Sequence, residues 1–223
     1  MEPHWIYEPN FFKSEDKDGR KVFDILAEEL QPYLEQGTGK MMGQEFIENR
    51  LSCYFTFTDK QLSYSGKVMD PIKPPENSYI GDLLRIVGSE QFKNMLIERY
   101  GNDYGDQFQY INFNSVFANL YRCPSETDKP DGLGQHRDKT DALSSEIILS
   151  ITYCQTGAER AFRFHEPSGK IIHEIELSDG DALFMLKGCQ KNYKHSVSTK
   201  KYNSKKELVK GRRLNLTFRC MKV

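Results

Sequence analysis

The chain has 223 residues, a formal net charge of −1 at pH 7 and five cysteines. That length forms one domain with a substantial core. An odd cysteine count without a CxxC spacing argues against a disulfide framework and a zinc knuckle. Neither a charged-then-apolar leader nor an apolar run as long as a membrane span is present, so we expect a soluble, intracellular monomer that does not contact a membrane.

The first half of the chain mixes helices with short strands. Residues 1–18 indicate an irregular arm, and Phe23, Leu26 and Leu30 then recur at helical spacing. Glycines and methionines at 37–43 predict a mobile loop. Two strands and a second helix follow, at 51–57, 61–66 and 80–100.

From residue 108 onward, short strands alternate with turn signals. This pattern is typical of a β-sandwich or barrel. The predicted strands are 115–122, 146–153, 160–165, 171–177, 182–187, 195–198 and 213–220.

The last of these strands has two contrasting faces. Side chains alternate along a strand, so the polar residues Arg213, Asn215, Thr217 and Arg219 share one face, and Leu214, Leu216 and Phe218 share the other. The polar face either meets solvent or lines a barrel interior that holds a ligand. In the second case the apolar face packs under helices.

Potential metal ligands lie two residues apart in His136-Arg137-Asp138, and His195 follows later. Two histidines and one carboxylate on one face of an iron leave positions open, as in non-haem Fe(II) oxygenases. Arg213 and Arg219 offer forked cations to an acidic cosubstrate. An H-x-D tripeptide also arises by chance, and the arginines also suit a solvated surface strand.

A basic segment precedes the last strand. Between Lys187 and Arg213 the only acidic residue is Glu207, whereas ten residues are lysine or arginine. Such a segment suits a polyanion such as nucleic acid. The alternative is a solvated basic loop.

Taken in order, several short motifs resemble the AlkB family of Fe(II)/2-oxoglutarate dioxygenases, which remove alkyl groups from nucleobases. The resemblance runs from about Lys21 to the end of the chain and is greatest to the DNA-repair homologues. Each motif is short, but the ordered set is specific. The motifs are Asn119-Leu-Tyr121, His136-Arg-Asp138, Ser150-Ile-Thr-Tyr, Arg160-Ala-Phe-Arg-Phe-His165, Ser178-Asp-Gly-Asp-Ala-Leu-Phe-Met185, Asn192-Tyr-Lys-His195 and Arg213-Leu-Asn-Leu-Thr-Phe-Arg219.

The resemblance implies an α+β fold, with N-terminal helices and a nucleotide-recognition lid at 1–107. A double-stranded β-helix (jelly roll) core at 108–223 completes one structural unit. It also implies three cofactors or cosubstrates: Fe(II), 2-oxoglutarate and O2. By the same resemblance, His136, Asp138 and His195 bind the iron. Arg213 pairs with the distal carboxylate of 2-oxoglutarate, and Arg219 lies nearer its metal-binding end. The residues that contact or surround the cosubstrate are then Asn119, Tyr121, Asn215 and Thr217.

The implied activity is oxidative demethylation of N1-methyladenine and N3-methylcytosine type lesions in DNA, giving succinate, CO2 and formaldehyde. A base must leave the duplex to reach such an iron. Tyr64 then matches an aromatic that stacks on the base, and Met41 and Met42 match an apolar finger that fills the gap. The alternatives are a half-buried strand tyrosine and a partly buried loop.

Two departures from the family pattern concern the substrate. The loop at 122–135 is longer than usual, and Thr140 stands where the family often has an acidic base contact. Either Asp141 substitutes for that contact, or the base preference differs. The alternative functions are the same chemistry on RNA or protein, and an inactive module that only binds modified bases. The intact set of iron ligands and arginines argues against the inactive module.

Overall fold

The computed structural model describes residues 4–41, 44–64, 67–199 and 208–223. The α-helices are α1 (Val22–Leu30), α2 (Tyr79–Val87), α3 (Glu90–Tyr104) and α4 (Cys189–Asn192), with 3-10 turns at Gln31–Tyr33, Gly105–Tyr110 and Pro124–Glu126. The strands are β1 (Trp5–Glu8), β2 (Thr38–Met41), β3 (Gln44–Ile47), β4 (Leu51–Thr56), β5 (Leu62–Tyr64), β6 (Lys67–Met69), β7 (Ser115–Tyr121), β8 (Leu133–His136), β9 (Leu143–Cys154), β10 (Arg160–His165), β11 (Ile171–Leu177), β12 (Ala182–Met185), β13 (Lys194–Val197) and β14 (Arg213–Met221).

Two antiparallel sheets form the core, as predicted for a jelly roll. The larger sheet has the order β1-β12-β9-β14-β7-β4, and the smaller has the order β11-β10-β13-β8. One apolar cluster contains Leu183 and Met185 of the larger sheet together with Phe162, Phe164 and Val197 of the smaller. The two sheets therefore pack face to face across a shared interior.

Strand β14 resolves the ambiguity left by its alternating sequence. All nine of its residues are buried. Leu214, Leu216 and Phe218 belong to the large apolar cluster that the helices share, which contains Phe23 of α1 and Leu84 of α2. The opposite, polar face therefore points into the space between the sheets.

The predicted single helix at 80–100 is wrong, because two helices occupy this region. Each has its own N-terminal cap: the Ser78 hydroxyl accepts a hydrogen bond from the Gly81 N–H, and the Ser89 hydroxyl accepts one from the Phe92 N–H, both at 3.1 Å. Serine satisfies N–H groups that a helix start leaves without partners. A capping serine directly after Gly88 was the sequence signal for this break.

The N-terminal arm and the glycine loop also differ from expectation. Trp5–Glu8 is not irregular, because it pairs with β12 at the edge of the larger sheet, and Trp5 stacks on Phe164 with ring centroids 4.1 Å apart. Strands β2 and β3 pair as a hairpin, and β2 lies within 37–43, where a loop was predicted. Strand β8 was missed, because Leu-Gly-Gln-His lacks a run of β-branched or aromatic residues.

A second hairpin, β5–β6, lies near the first, and β2 contacts β6. No helix in the described ranges has the length and apolar character needed to cross a membrane.

Two glycines can be compared by substitution: Gly88 lies at the break between α2 and α3, and Gly101 lies inside α3. A Cβ at Gly88 would lie 2.4 Å from the carbonyl oxygen of Phe113, whereas a Cβ at Gly101 meets nothing closer than 3.7 Å. Gly88→Ala should therefore lower the free energy of unfolding by about 1–3 kcal/mol. Gly101→Ala, inside α3, should raise it by about 0.5–1 kcal/mol. Urea denaturation measures both, and equal effects would contradict the close packing at Gly88.

Candidate active site

Three side chains with metal-binding atoms converge between the two sheets. The ligand atoms of His136, Asp138 and His195 all lie within 4.8 Å of one another, and no other such group occurs among the described residues. His136 and His195 face each other across the β8–β13 ladder. Asp138 follows two residues after His136, just beyond the end of β8. Strand pairing therefore assembles a trio that is able to hold one metal ion.

The ring orientation of His136 suits metal binding. Its Nδ1 lies 2.9 Å from the carbonyl oxygen of Gly134. A carbonyl only accepts, so Nδ1 carries the proton and Nε2 is the unprotonated nitrogen that can bind a metal. That Nε2 lies 3.7 Å from Oδ1 of Asp138. His195 packs against Phe162, with ring centroids 5.4 Å apart.

Asp138 is held by two groups from other parts of the chain. Nη2 of Arg219 donates to its Oδ2 at 3.0 Å. Its backbone N–H donates to Oε1 of Gln190 at 2.9 Å, and Nε2 of Gln190 donates in turn to Sδ of Met185. Gln190 is buried in α4, so one amide ties Asp138 to the segment that leads into His195.

Metal ligands bind in their deprotonated forms, and this site favours those forms. Burial lowers the pKa of His136 and brings the pKa of His195 down to about 3. Burial alone would raise the pKa of Asp138, but Arg219 and the two neighbouring histidines outweigh it and lower that pKa to about 2. All three ligands are therefore ready for a cation at neutral pH.

The polar face of β14 continues the cavity away from the trio. The Asn215 Oδ1 accepts from Nη2 of Arg213 at 2.9 Å and from the Ser150 hydroxyl at 3.0 Å, and its Nδ2 donates to Thr217. The cavity that holds the trio is lined by five of the residues predicted for the cosubstrate, namely Asn119, Tyr121, Asn215, Thr217 and Arg219.

Arg213, the sixth of these residues, is fully buried beside the cavity. Its Nη2 bonds Thr152 and Asn215, but its Nε and Nη1 have no acceptor among the described residues. A buried donor without a partner costs about 1–3 kcal/mol, and more when it is charged. Donors of a buried cation that lack an acceptor suit an anionic group such as a carboxylate, whose oxygens can accept from them. The residues present therefore fit a cosubstrate that ends in a carboxylate.

The structure describes only part of the residues that were predicted to contact the substrate. Met41 and Tyr64 lie in β2 and β5, but their side chains fall outside the described residues, as does the whole of Met42. Asp141 is exposed and does not line the cavity, and its carbonyl accepts from Nζ of Lys222 at 2.7 Å.

Two neighbours of the site were not foreseen. Gln190 acts on Asp138 across 52 residues, and Arg50 donates from Nε to Oδ1 of Asn119 at 2.7 Å across 69 residues. No local spacing signals such a contact. Ser150, by contrast, begins the motif Ser150-Ile-Thr-Tyr, and that motif was a signal in the sequence. In the structure Ser150 pairs with Thr217.

Residues 9–219 match the 2OG-Fe(II) oxygenase superfamily. The chain belongs to that superfamily. Its members use Fe(II), 2-oxoglutarate and O2, so this protein is an oxidoreductase of the dioxygenase type, and the trio and the unpaired arginine donors fit those requirements. An uncharacterized protein, R406, of Acanthamoeba polyphaga mimivirus is 27% identical over 202 residues, which cover 90% of this chain and 87% of the viral protein.

Solved structures share the fold at low sequence identity. OsALKBH1 superposes with a TM-score of 0.58 at 18% identity, covering 98% of this chain and 99% of its own. A 2OG-Fe(II) oxygenase family oxidoreductase from Burkholderia pseudomallei gives 0.60 at 13%, covering 97% and 84%. A prolyl-4-hydroxylase from Pseudomonas putida gives 0.55 at 12%, covering 97% and 92%. The α+β jelly-roll prediction is confirmed.

The lowered histidine pKa values determine how metal affinity should change with pH. For a histidine with the usual pKa of about 6.5, protons compete with a metal for the imidazole below that pH. A lowered pKa keeps the imidazole neutral, and able to bind a metal, at more acidic pH. The affinity for Mn²⁺, measured by calorimetry under nitrogen, should therefore stay nearly constant from about pH 8 to about pH 5.5. A steep loss between about pH 7 and 6 would contradict the burial effect.

Gln190 should affect metal binding through Asp138. Gln190→Leu removes the acceptor of the Asp138 N–H and should weaken Mn²⁺ binding by about 10–100-fold, because groups that orient metal ligands have effects of that size. Lys191→Leu, at the exposed next position, is the matched control. A lower unfolding midpoint with unchanged Mn²⁺ affinity would make Gln190 a packing residue only.

Proposed function

We propose that this protein is an oxidative demethylase of alkylated nucleobases in DNA, acting on N1-methyladenine and N3-methylcytosine type lesions. In this proposal His136, Asp138 and His195 hold Fe(II). Arg213 binds the distal carboxylate of 2-oxoglutarate, and Arg219 lies at its metal-binding end. The products are succinate, CO2 and formaldehyde. The residues that surround the cosubstrate are Asn119, Tyr121, Asn215 and Thr217.

One observation carries the catalytic part of the proposal. A cluster of three metal-binding side chains and a buried arginine with two unpaired donors occur together at one cavity of a jelly roll. A module that only recognised modified bases would have no need to keep either feature. Their coexistence therefore supports an active oxygenase.

The iron centre, with 2-oxoglutarate and O2, supplies the oxidation of a methyl C–H bond. The protein's own side chains fix the geometry of that centre. Arg219 orients the Asp138 carboxylate and keeps it ionised, and the Gly134 carbonyl selects the His136 tautomer. Phe162, packed on His195, excludes water from one side.

The two hairpins support a nucleobase as the substrate. The segment after β3 is tied to the catalytic core, because the Gly132 N–H donates to the Asn49 carbonyl and Arg50 bonds Asn119. The hairpins expose large apolar side chains: Phe46 is 40% exposed and Ile47 is 65% exposed. Exposed apolar groups on an element tied to the cavity-lining strand β7 suit contact with an unstacked base. Met41, Met42 and Tyr64 keep their proposed roles in this region.

The partner in this proposal is DNA, with RNA as an alternative. Lys187 and Lys191 are exposed in the basic segment, although residues 200–207 lie outside the described residues. The fold shared with OsALKBH1, an AlkB homologue, also favours a nucleic acid substrate. Asp141, exposed three residues after Asp138, stays the proposed contact that distinguishes one base from another.

Formaldehyde release tests the proposed reaction. The protein is incubated with Fe(II), 2-oxoglutarate and ascorbate, and with methylated or unmethylated DNA and RNA oligonucleotides in single- and double-stranded form. We expect formaldehyde from methylated DNA and none from unmethylated DNA. Asp138→Ala should reduce release to background because it removes an iron ligand. Asp103→Ala, exposed in α3, is the matched control and should retain activity.

Other outcomes point to other functions. Release from methylated RNA alone would move the substrate to RNA. If no oligonucleotide yields formaldehyde, and succinate forms with a proline-containing peptide, the protein would be a protein hydroxylase instead. Undiminished formaldehyde from Asp138→Ala would contradict the iron site itself.

A further inference from the structure

The loop between β7 and β8 is closed by a buried ion pair. Asp131 is fully buried, and its carboxylate accepts from Nε and Nη2 of Arg122, both at 3.0 Å, and from the backbone N–H of Arg122 at 2.8 Å. In the middle of the loop, Glu126 pairs with Arg212, which directly precedes β14. This loop, residues 122–132, makes up most of the segment 122–135 that is long relative to the family pattern, and charged side chains anchor it.

Arg160 of β10 bridges the two ends of this loop. Its Nη1 donates to the Asp131 carbonyl at 2.6 Å, and its Nη2 donates to the Arg122 carbonyl at 2.8 Å. Arg160 is buried, and its Nε has no acceptor among the described residues. A planar guanidinium can reach two carbonyl groups at once, which a lysine ammonium on a flexible stem does less well.

The same guanidinium reaches toward the cosubstrate pocket. Its carbon lies 5.8 Å from the centre of the Tyr121 ring, and that of Arg213 lies 5.3 Å from the same ring. Both arginines are buried, and burial lowers the pKa of each, while the charge of Arg213 lowers the pKa of Arg160 further. Two like charges thus share one aromatic ring in a poorly solvated place.

We propose that Arg160 is a positioning residue that couples 2-oxoglutarate binding to the conformation of loop 122–132. A carboxylate bound at Arg213 offsets the repulsion between the two guanidinium groups, so Arg160 holds the loop carbonyls more firmly. Coupling of this kind is reciprocal, so a closed loop strengthens 2-oxoglutarate binding by the same factor. The inference rests on the proposed role of Arg213 but not on the nucleobase substrate.

The coupling has a consequence for the order of binding. Loop 122–132 leads directly into β8, which carries His136. The Gly132 N–H also bonds the Asn49 carbonyl at 3.0 Å, next to the hairpin that exposes Phe46 and Ile47. Cosubstrate binding therefore orders the side of the cavity that the substrate must approach.

Two measurements on the Mn²⁺-loaded protein, kept free of oxygen, test this coupling. Hydrogen exchange of amides 122–132 should slow when 2-oxoglutarate is added to the wild type. Arg160→Gln should abolish that slowing and weaken 2-oxoglutarate binding by about tenfold, or about 1.4 kcal/mol, because it removes the loop hydrogen bonds and a cation beside Arg213. Calorimetry gives the binding constant.

Two further variants separate the possible causes. Arg160→Lys keeps the charge but loses the fork, so it should still lose the slowing of exchange, and its 2-oxoglutarate affinity should fall between those of the wild type and Arg160→Gln. It also carries the test if Arg160→Gln does not fold. Arg212→Gln breaks the exposed clamp to Glu126 without touching Tyr121, and should change the affinity by less than about threefold.

The coupling is overturned if 2-oxoglutarate leaves exchange of 122–132 unchanged in the wild type, or if Arg160→Gln matches the wild type in both measurements. Arg213→Ala tells this failure apart from a failure of the proposed function. Unchanged 2-oxoglutarate affinity in Arg213→Ala would overturn the role of Arg213 itself, and with it the basis of the coupling.

Discussion

Strand β14 is buried on both faces, and the rest of the molecule is arranged around that constraint. Its apolar face needs a cover, which the helices α1 to α3 provide. Its polar face needs hydrogen-bond partners, which come from Ser150 and Thr152 of β9 and from Asp138. Because successive side chains alternate, neither face can be satisfied without fixing the other. One strand thus sets the position of the helical layer and of the catalytic interior.

Charge is unevenly distributed in that interior. Arg160, Arg213 and Arg219 are buried, and of these three Arg219 alone bonds a carboxylate among the described residues, that of Asp138. An unpaired buried ion costs roughly several kcal/mol. In the proposed role of Arg213, a carboxylate bound there would offset part of that cost and so add to the affinity for an acidic cosubstrate. The same feature makes the pocket selective for a carboxylate over a neutral molecule.

Local pattern was enough to locate most of the site. The spacing of His136 and Asp138, the alternation in β14 and the order of the motifs lead to the three candidate metal ligands and to residues that line their cavity. The limits of β10 and β11 were also correct, because both are short segments rich in apolar residues and bounded by turns. What local pattern could not supply was contact across the chain. Gln190, Arg50 and Arg160 act on residues far away in sequence, and β1 is a strand only because β12 offers it an edge.

The position of β14 in the larger sheet has a consequence for how the chain assembles. It lies between β9 and β7 and follows both of them in sequence. Without it the sheet falls into two separate pieces, β1-β12-β9 and β7-β4. Such distant pairing is slow to form, because long loops must close first. Since β14 also carries Arg213 and Arg219, the pairing that joins the two half-sheets also brings both arginines to the catalytic interior.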